Sequence, residues 1–158
     1  MLTTQRRTRL ASEEVGRIRA YRPDDADAVV AIWQSASALA QPFLSAEFVA
    51  HVSADIRTLY LPHAETFVIE ARGDAIGFIA LLGQEISGLF LEPAWHRRGL
   101  GKALMDHAVA RKGALHLEVF ERNAIGRRFY ERYGFVETGR YTHQASGEMT
   151  LQLALPNR

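Results

Sequence analysis

Hydrophobic positions along this chain alternate between two periods, and the switches between them mark out its elements. Residues 17–22 set Ile18 and Ala20 between arginines, the period of two that predicts a strand. Pro23-Asp24-Asp25 then opens a helix with Pro and acids in its first turn; it runs through Ala28, Val29, Ile32 and Trp33 to about Leu39. Pro42 ends it. Ser45 is placed to cap a second helix, in which Phe48, Val49, Val52, Ile56 and Leu59 recur at helical spacing. Two β-rich runs, residues 66–71 and 75–82, meet at the turn Arg72-Gly73-Asp74, and a third strand at 85–92 carries Gly88 inside it, where Gly marks a bulge or a close approach to the backbone. Residues 99–112 predict a helix with Leu100, Ala103, Leu104 and Ala108 on one side and Gly113 as its stop. A strand at 114–120, a helix at 123–133 closed by Gly134, and an antiparallel pair at 135–140 and 148–155 complete the chain.

The order β-α-α-β-β-β-α-β-α-β-β contains no repeat and no linker. It predicts an α/β domain over residues 17–158, with one mixed, mostly antiparallel sheet flanked by helices. Residues 1–16 lack periodicity and read as an N-terminal arm.

Composition narrows the function classes. With 158 residues, 47% hydrophobic and 23% charged, the chain suits a single globular domain, and a formal charge of +1 gives no reason to expect nucleic acid or an anionic membrane as partner. The absence of cysteine excludes disulfides, thiolate metal sites and a cysteine nucleophile. No apolar run has the roughly 18 residues of a membrane helix, and the arm with Arg6, Arg7 and Arg9 has no apolar signal core, so a cytoplasmic location is expected. The six histidines show no metal-ligand spacing, and no metal site is expected.

The most specific chemistry lies between the third strand and the third helix, at Leu89-Phe90-Leu91-Glu92-Pro93-Ala94-Trp95-His96-Arg97-Arg98-Gly99-Leu100-Gly101-Lys102. A helix that begins after a basic, glycine-bearing loop presents free N–H groups and its positive dipole end to an anion, which predicts a phosphate or pyrophosphate site. A Walker loop is excluded because Ala103, not Ser or Thr, follows Gly101-Lys102. A dinucleotide fingerprint wants a third Gly where Leu104 stands and a loop that follows its strand at once, although Glu118 falls about 20 residues on, where a ribose-binding acid belongs. That alternative stays open beside an acyl-CoA loop.

His96-Arg97-Arg98-Gly99-Leu100-Gly101 resembles the acyl-CoA loop of the GNAT N-acetyltransferase superfamily, with His96 standing where Gln or Arg is usual. Leu117-Glu118-Val119, Asn123 and Phe129-Tyr130-Glu131-Arg132-Tyr133-Gly134-Phe135 resemble its second signature, and the element order is that of its fold over about residues 18–155. Pro42-Phe43-Leu44-Ser45-Ala46-Glu47 is similar to small bacterial members of the YjaB and YiaC type. The resemblance implies an enzyme that transfers the acetyl group of acetyl-CoA to a primary amine, on a small molecule or a protein, by direct attack. The alternative is an acetyl-CoA-binding sensor with little catalysis. Many members dimerise, so a homodimer is compatible with it.

Such a transfer poses two proton problems. An amine of pKa about 10.4 is protonated at neutral pH, and exposing its lone pair costs roughly 4–5 kcal/mol, so a base helps; the departing thiolate needs an acid. On the helix at 123–133, Ile125, Phe129 and Tyr133 form a stripe expected in the core, while Gly126 and Tyr130 share an adjoining face where a ligand can lie close. Spacing leaves open whether the Tyr130 hydroxyl meets a backbone carbonyl or a ligand. The resemblance implies that Tyr130 is the general acid. For the base it offers Glu118, which alternation puts on the face opposite Leu115, Leu117 and Val119, and Glu85; Glu118 ranks slightly ahead. It further implies that backbone N–H groups from Arg97 to Lys102 hold the pyrophosphate, with Arg97, Arg98 or Lys102 at its rim, and that Leu89, Phe90 and Leu91 offer strand edge to the pantetheine amides. Asn123 is a helix cap first and a pantetheine contact second. Trp33 and Phe43 flank the expected acceptor pocket.

Overall fold

The computed structural model describes residues 14–156; residues 1–13, most of the expected N-terminal arm, lie outside the described residues. Seven strands form one sheet in the order β1-β2-β3-β4-β5-β7-β6. They are β1 (Val15–Ala20), β2 (Glu65–Ala71), β3 (Asp74–Leu82), β4 (Glu85–Leu91), β5 (His116–Phe120), β6 (Val136–Thr142) and β7 (Met149–Ala154). Every neighbouring pair is antiparallel except β4 and β5. The helices are α1 (Ala26–Ala40), α2 (Ala46–Asp55), α3 (Leu100–Lys112) and α4 (Ala124–Tyr133).

Local chemistry sets the ends of these helices as the sequence predicts. Ser45 Oγ accepts the Phe48 N–H at 3.1 Å, Asn123 Oδ1 accepts the Gly126 N–H at 2.8 Å, and Gly113 and Gly134 close α3 and α4 at φ +73° and +118°. The start of α1 is tied to the sheet through charge. Arg19 on β1 donates to both Asp25 carboxylate oxygens at 2.7 and 2.8 Å and also binds Glu70 on β2, while Asp25 accepts the Arg22 N–H. Arg19 therefore holds the Asp25 carboxyl below the usual carboxylate range.

Two cores sandwich the sheet. On one face, Val29, Val30, Ile32 and Trp33 of α1 and Ile56 and Leu61 beyond α2 pack on Val68, Phe78 and Ala80. On the other, Leu100, Leu104, Met105 and Ala108 of α3 and Tyr130 of α4 pack on Ile69, Ile79, Ile86, Leu117, Val119 and Leu151. Leu117 and Val119 face α3 and α4, so Glu118 faces the α1–α2 side; Ile86 likewise turns Glu85 to that side.

Two expectations change. The second helix was expected to run evenly to Leu59, but α2 ends at Asp55 and a π-helical turn, Ile56–Tyr60, follows before Leu61 packs into the core. The apolar stripe of α4 is also rotated. Ile125 is 44% exposed and Phe129 and Tyr133 are only partly covered, whereas Tyr130, expected on the adjoining face, is the buried residue of the helix. Helical spacing identifies residues that share a face but not which flank of that face meets the sheet.

Candidate acyl-transfer site

The site begins where two strands part. β4 and β5 pair only at Glu85↔His116 and Ile86↔Leu117, and beyond that point the β4 edge from Ser87 to Leu91 has no partner on the β5 side. A parallel pair joined for two residues and then splayed leaves backbone N–H and C=O groups facing a wedge. A cleft of about 1740 Å³ runs through this wedge and is lined from both faces of the sheet: Trp33, Glu85, Glu118 and Phe120 from the α1–α2 side, Tyr130, Phe129 and Gly101 from the α3–α4 side. It exceeds the roughly 300–1,000 Å³ of a site for one small ligand, so there is room for two reactants.

The loop ahead of α3 departs from ordinary backbone. Arg97 and Gly99 both adopt left-handed backbone, at φ +64° and +77°, immediately ahead of the α3 N-terminus, where helical N–H groups lack intrahelical partners. His96 fixes the loop to the strand: its Nε2–H donates to the Leu91 carbonyl at 3.0 Å. Gly101 keeps the first turn of α3 close to its neighbours, because a Cβ there would lie 3.1 Å from Phe129 and 3.4 Å from Leu91.

The basic side chains of the loop diverge. Arg97 and Lys102 line the cleft. Lys102 pairs with Asp106 at 2.9 Å, and Asp106 also accepts the Tyr133 hydroxyl at 2.6 Å, which holds its carboxyl below the usual range. Arg98 departs from the expected rim: its guanidinium lies over the Trp95 ring, 4.8 Å from the centroid, and the residue is not among those lining the cleft. Spacing missed Arg128 and Arg132, one turn apart on α4, which line the cleft and have no ion-pair partner among the described residues. Their i, i+4 repeat beside Tyr130 was the available signal.

Tyr130 is 9% exposed and lines the cleft, yet its hydroxyl makes no hydrogen bond with any described residue and is not sealed from the cleft. No backbone carbonyl receives it. Burial pushes its phenol well above the ordinary tyrosine value, so it stays protonated. Gly126 and Asn123 line the wall beside it, with Asn123 buried and engaged as the α4 cap.

Leu89, Phe90 and Leu91 carry the open strand edge; Leu89 and Leu91 turn to the α3–α4 core and Phe90 to the other. Trp33 is 5% exposed and part of the core as well as the cleft wall. Phe43 lies elsewhere than expected. It stacks edge-on against Phe120 at 5.9 Å, carries the Arg122 guanidinium at 4.3 Å, and lines a small neighbouring hollow with Leu39, Pro42 and Ile125 instead of the main cleft. Among the described residues there is no group of three or more His, Asp or Glu able to hold a metal ion, and no helix is long and apolar enough to cross a membrane.

An open strand edge, a helix start behind a basic, left-handed loop and a buried, partnerless hydroxyl share one cleft. Comparison with known proteins supplies the class. The acetyltransferase (GNAT) domain model matches residues 62–137. The peptidyl-lysine N-acetyltransferases YjaB and YiaC of Escherichia coli K12 are 34% and 31% identical over 78% and 75% of this chain, which spans 84% and 82% of theirs. The solution structure of apo YjaB from Escherichia coli superposes with a TM-score of 0.80 at 31% identity, covering 90% of this chain and 98% of that one. PaiA N-acetyltransferase from Thermoplasma acidophilum, solved in complex with coenzyme A, shares the fold at 18% identity with a TM-score of 0.72, over 86% of this chain and 96% of its own. The chain belongs to the GNAT acetyltransferase family and is an acetyl-CoA-dependent N-acetyltransferase.

Proposed function

We propose that the acceptor is the ε-amine of a lysine side chain in a peptide or protein, acetylated by direct attack with Tyr130 as general acid and Glu118 as the first receiver of the amine's proton. The observation that carries this reading is the carboxylate pair on the α1–α2 side of the wedge. Glu85 and Glu118 both line the cleft and neither has an ion-pair partner among the described residues, so an incoming ammonium of any primary amine meets two carboxylates without a counter-cation. The printed activities of YjaB and YiaC, both peptidyl-lysine N-acetyltransferases, support the same acceptor.

The donor end of the cleft fits acetyl-CoA. The unpaired β4 edge suits the two pantetheine amides, and N–H groups from Arg97 to Lys102 suit the pyrophosphate. Arg128 and Arg132 add positive charge to the same cleft wall and suit a further phosphate. Bound acetyl-CoA supplies the activated acetyl thioester. Tyr130 then protonates the departing sulfur, and Glu118, with Glu85 beside it, takes the proton released by the amine. The two groups approach from opposite faces of the sheet, so the acid and the proton receiver are kept apart by the wedge itself. A cytoplasmic location, with neither nucleic acid nor membrane as partner, belongs to the same reading.

The experiment is a mass-spectrometric acetylation panel: a lysine peptide with blocked N-terminus, a lysine-free peptide with free N-terminus, and a polyamine. Nε-acetylation of the first above the others is expected. Acetylation only of the α-amine or only of the polyamine would overturn the lysine assignment and leave the acetyl-transfer chemistry standing.

A further inference from the structure

Glu118 is restrained from outside the cleft. Its Oε2 accepts a hydrogen bond of 2.6 Å from the Tyr141 hydroxyl, although Tyr141 stands on β6, two strands away, and is not among the residues lining the cleft. Register explains the reach. Tyr141 pairs with Thr150 of β7, and Thr150 with Phe120 of β5, so these three share a row on the α1–α2 face; Glu118, Gln152 and Gly139 form the next row. The phenol crosses buried Thr150 on a diagonal. Gln152, the direct neighbour of Glu118, turns the other way and lies over Gly139, where a Cβ would come within 2.5 Å of its Oε1. The missing side chain at Gly139 thus gives the amide a place away from Glu118 and leaves that carboxylate to the tyrosine.

The surrounding charges leave the carboxylate free on its other side. Arg140, next to Tyr141 in sequence, is held by Glu121 and Glu137, and Arg122 is held by Glu148. Oε1 of Glu118 accepts no hydrogen bond among the described residues. The ionisable groups around it are Glu85 from β4, His116 two residues before it on β5, Tyr141 from β6 and His143 at the end of that strand, a cleft-lining imidazole whose Nδ1 accepts the Ser146 N–H. None of them is a fixed cation paired with Glu118.

We propose that Tyr141 is a positioning residue for acetyl transfer: by occupying Glu118 Oε2 it fixes the carboxylate in one orientation and leaves Oε1 as the atom that receives the acceptor ammonium and its proton. This rests on the reading of Glu118 given above. An unrestrained glutamate on a half-open strand samples several rotamers, and a bond from a neutral donor holds one of them without cancelling the negative charge that an ammonium needs. Charge on both glutamates is felt at the phenol: the hydrogen bond to Glu118, together with burial and the charges of Glu118 and Glu85, pushes Tyr141 up to about 12. At neutral pH it is therefore a donor and never a competing anion.

The test is a double-mutant cycle on kcat/KM for the best primary amine of the acetylation panel, with melting temperature and the KM for acetyl-CoA measured in parallel. Tyr141→Phe removes one oxygen from a side chain that is 38% exposed, so folding is retained. It is expected to lower kcat/KM for the amine about 10-fold, the loss of one hydrogen bond to a charged group, with the KM for acetyl-CoA and the melting temperature unchanged. Added to Glu118→Gln, it should change nothing further. An equal loss in both backgrounds, or no loss from Tyr141→Phe where Glu118→Gln is impaired, would overturn the positioning role. Full activity of Glu118→Gln alone would identify a different failure, that of Glu118 as proton receiver.

Discussion

The two ends of the cleft are built from different material. The proposed donor end is written in backbone: an unpaired strand edge from Ser87 to Leu91, left-handed turns at Arg97 and Gly99, and the first turn of α3. The proposed acceptor end is written in side chains drawn from distant parts of the chain: Trp33 from α1, Glu85 from β4, Glu118 from β5, and Tyr141 of β6, which is bonded to Glu118. On the proposed reading, backbone groups recognise what is common to every turnover, the amides and phosphates of one donor. Side chains recognise what varies between enzymes of one fold, and they do so without altering the scaffold. Tyr130 stands between the ends, anchored in the α3–α4 core with its oxygen in the cleft.

That division orders the effects of substitution. The largest falls on the residue shared by both ends. Tyr130→Phe should lower kcat about 100-fold while the KM for acetyl-CoA changes less than about 2-fold, since the general-acid role proposed for Tyr130 acts on the leaving group and not on donor binding. Because burial raises the Tyr130 phenol, its ionisation cannot produce a falling limb between about pH 7 and 9, and the wild-type kcat profile should show none that Tyr130→Phe removes. A donor-end backbone change comes next. Gly99→Ala forces a Cβ onto left-handed backbone, at a cost of about 1–2 kcal/mol, and should raise the KM for acetyl-CoA roughly 10-fold with the acceptor preference unaltered. A shift in acceptor preference would erase the distinction between the ends.

The same distinction explains how much of the molecule was legible in its sequence. The strand, loop and helix of the proposed donor end were readable, because they are contiguous and glycines at Gly88, Gly99 and Gly101 signal backbone that must bend or be approached. Ser45, Asn123, Gly113 and Gly134 marked helix ends for the same local reason. The acceptor end was readable only in part. The face of Glu118 followed from alternation along β5 and its candidacy from the family resemblance, but its bond to Tyr141 joins residues 23 apart across an intervening strand, and no spacing rule reports it. Phe43 sits beside the expected pocket and not in it, because Phe120 and Arg122 hold its ring over the neighbouring hollow. Arg98 is drawn to Trp95 by a stacking contact that a count of basic residues does not contain. On α4, periodicity found the face but placed Ile125 in the core and Tyr130 at its edge, the reverse of what the sheet imposes.

Amide hydrogen exchange with and without acetyl-CoA tests the central claim most directly, since it reads the backbone and needs no acceptor. New protection is expected at the open β4 edge, residues 87–91, and in the loop and first turn of α3, residues 97–102, with the β6–β7 turn around Ser146 unchanged. Protection centred on that turn, or none at residues 87–91 when the donor is saturating, would contradict a donor site built from the backbone of the wedge.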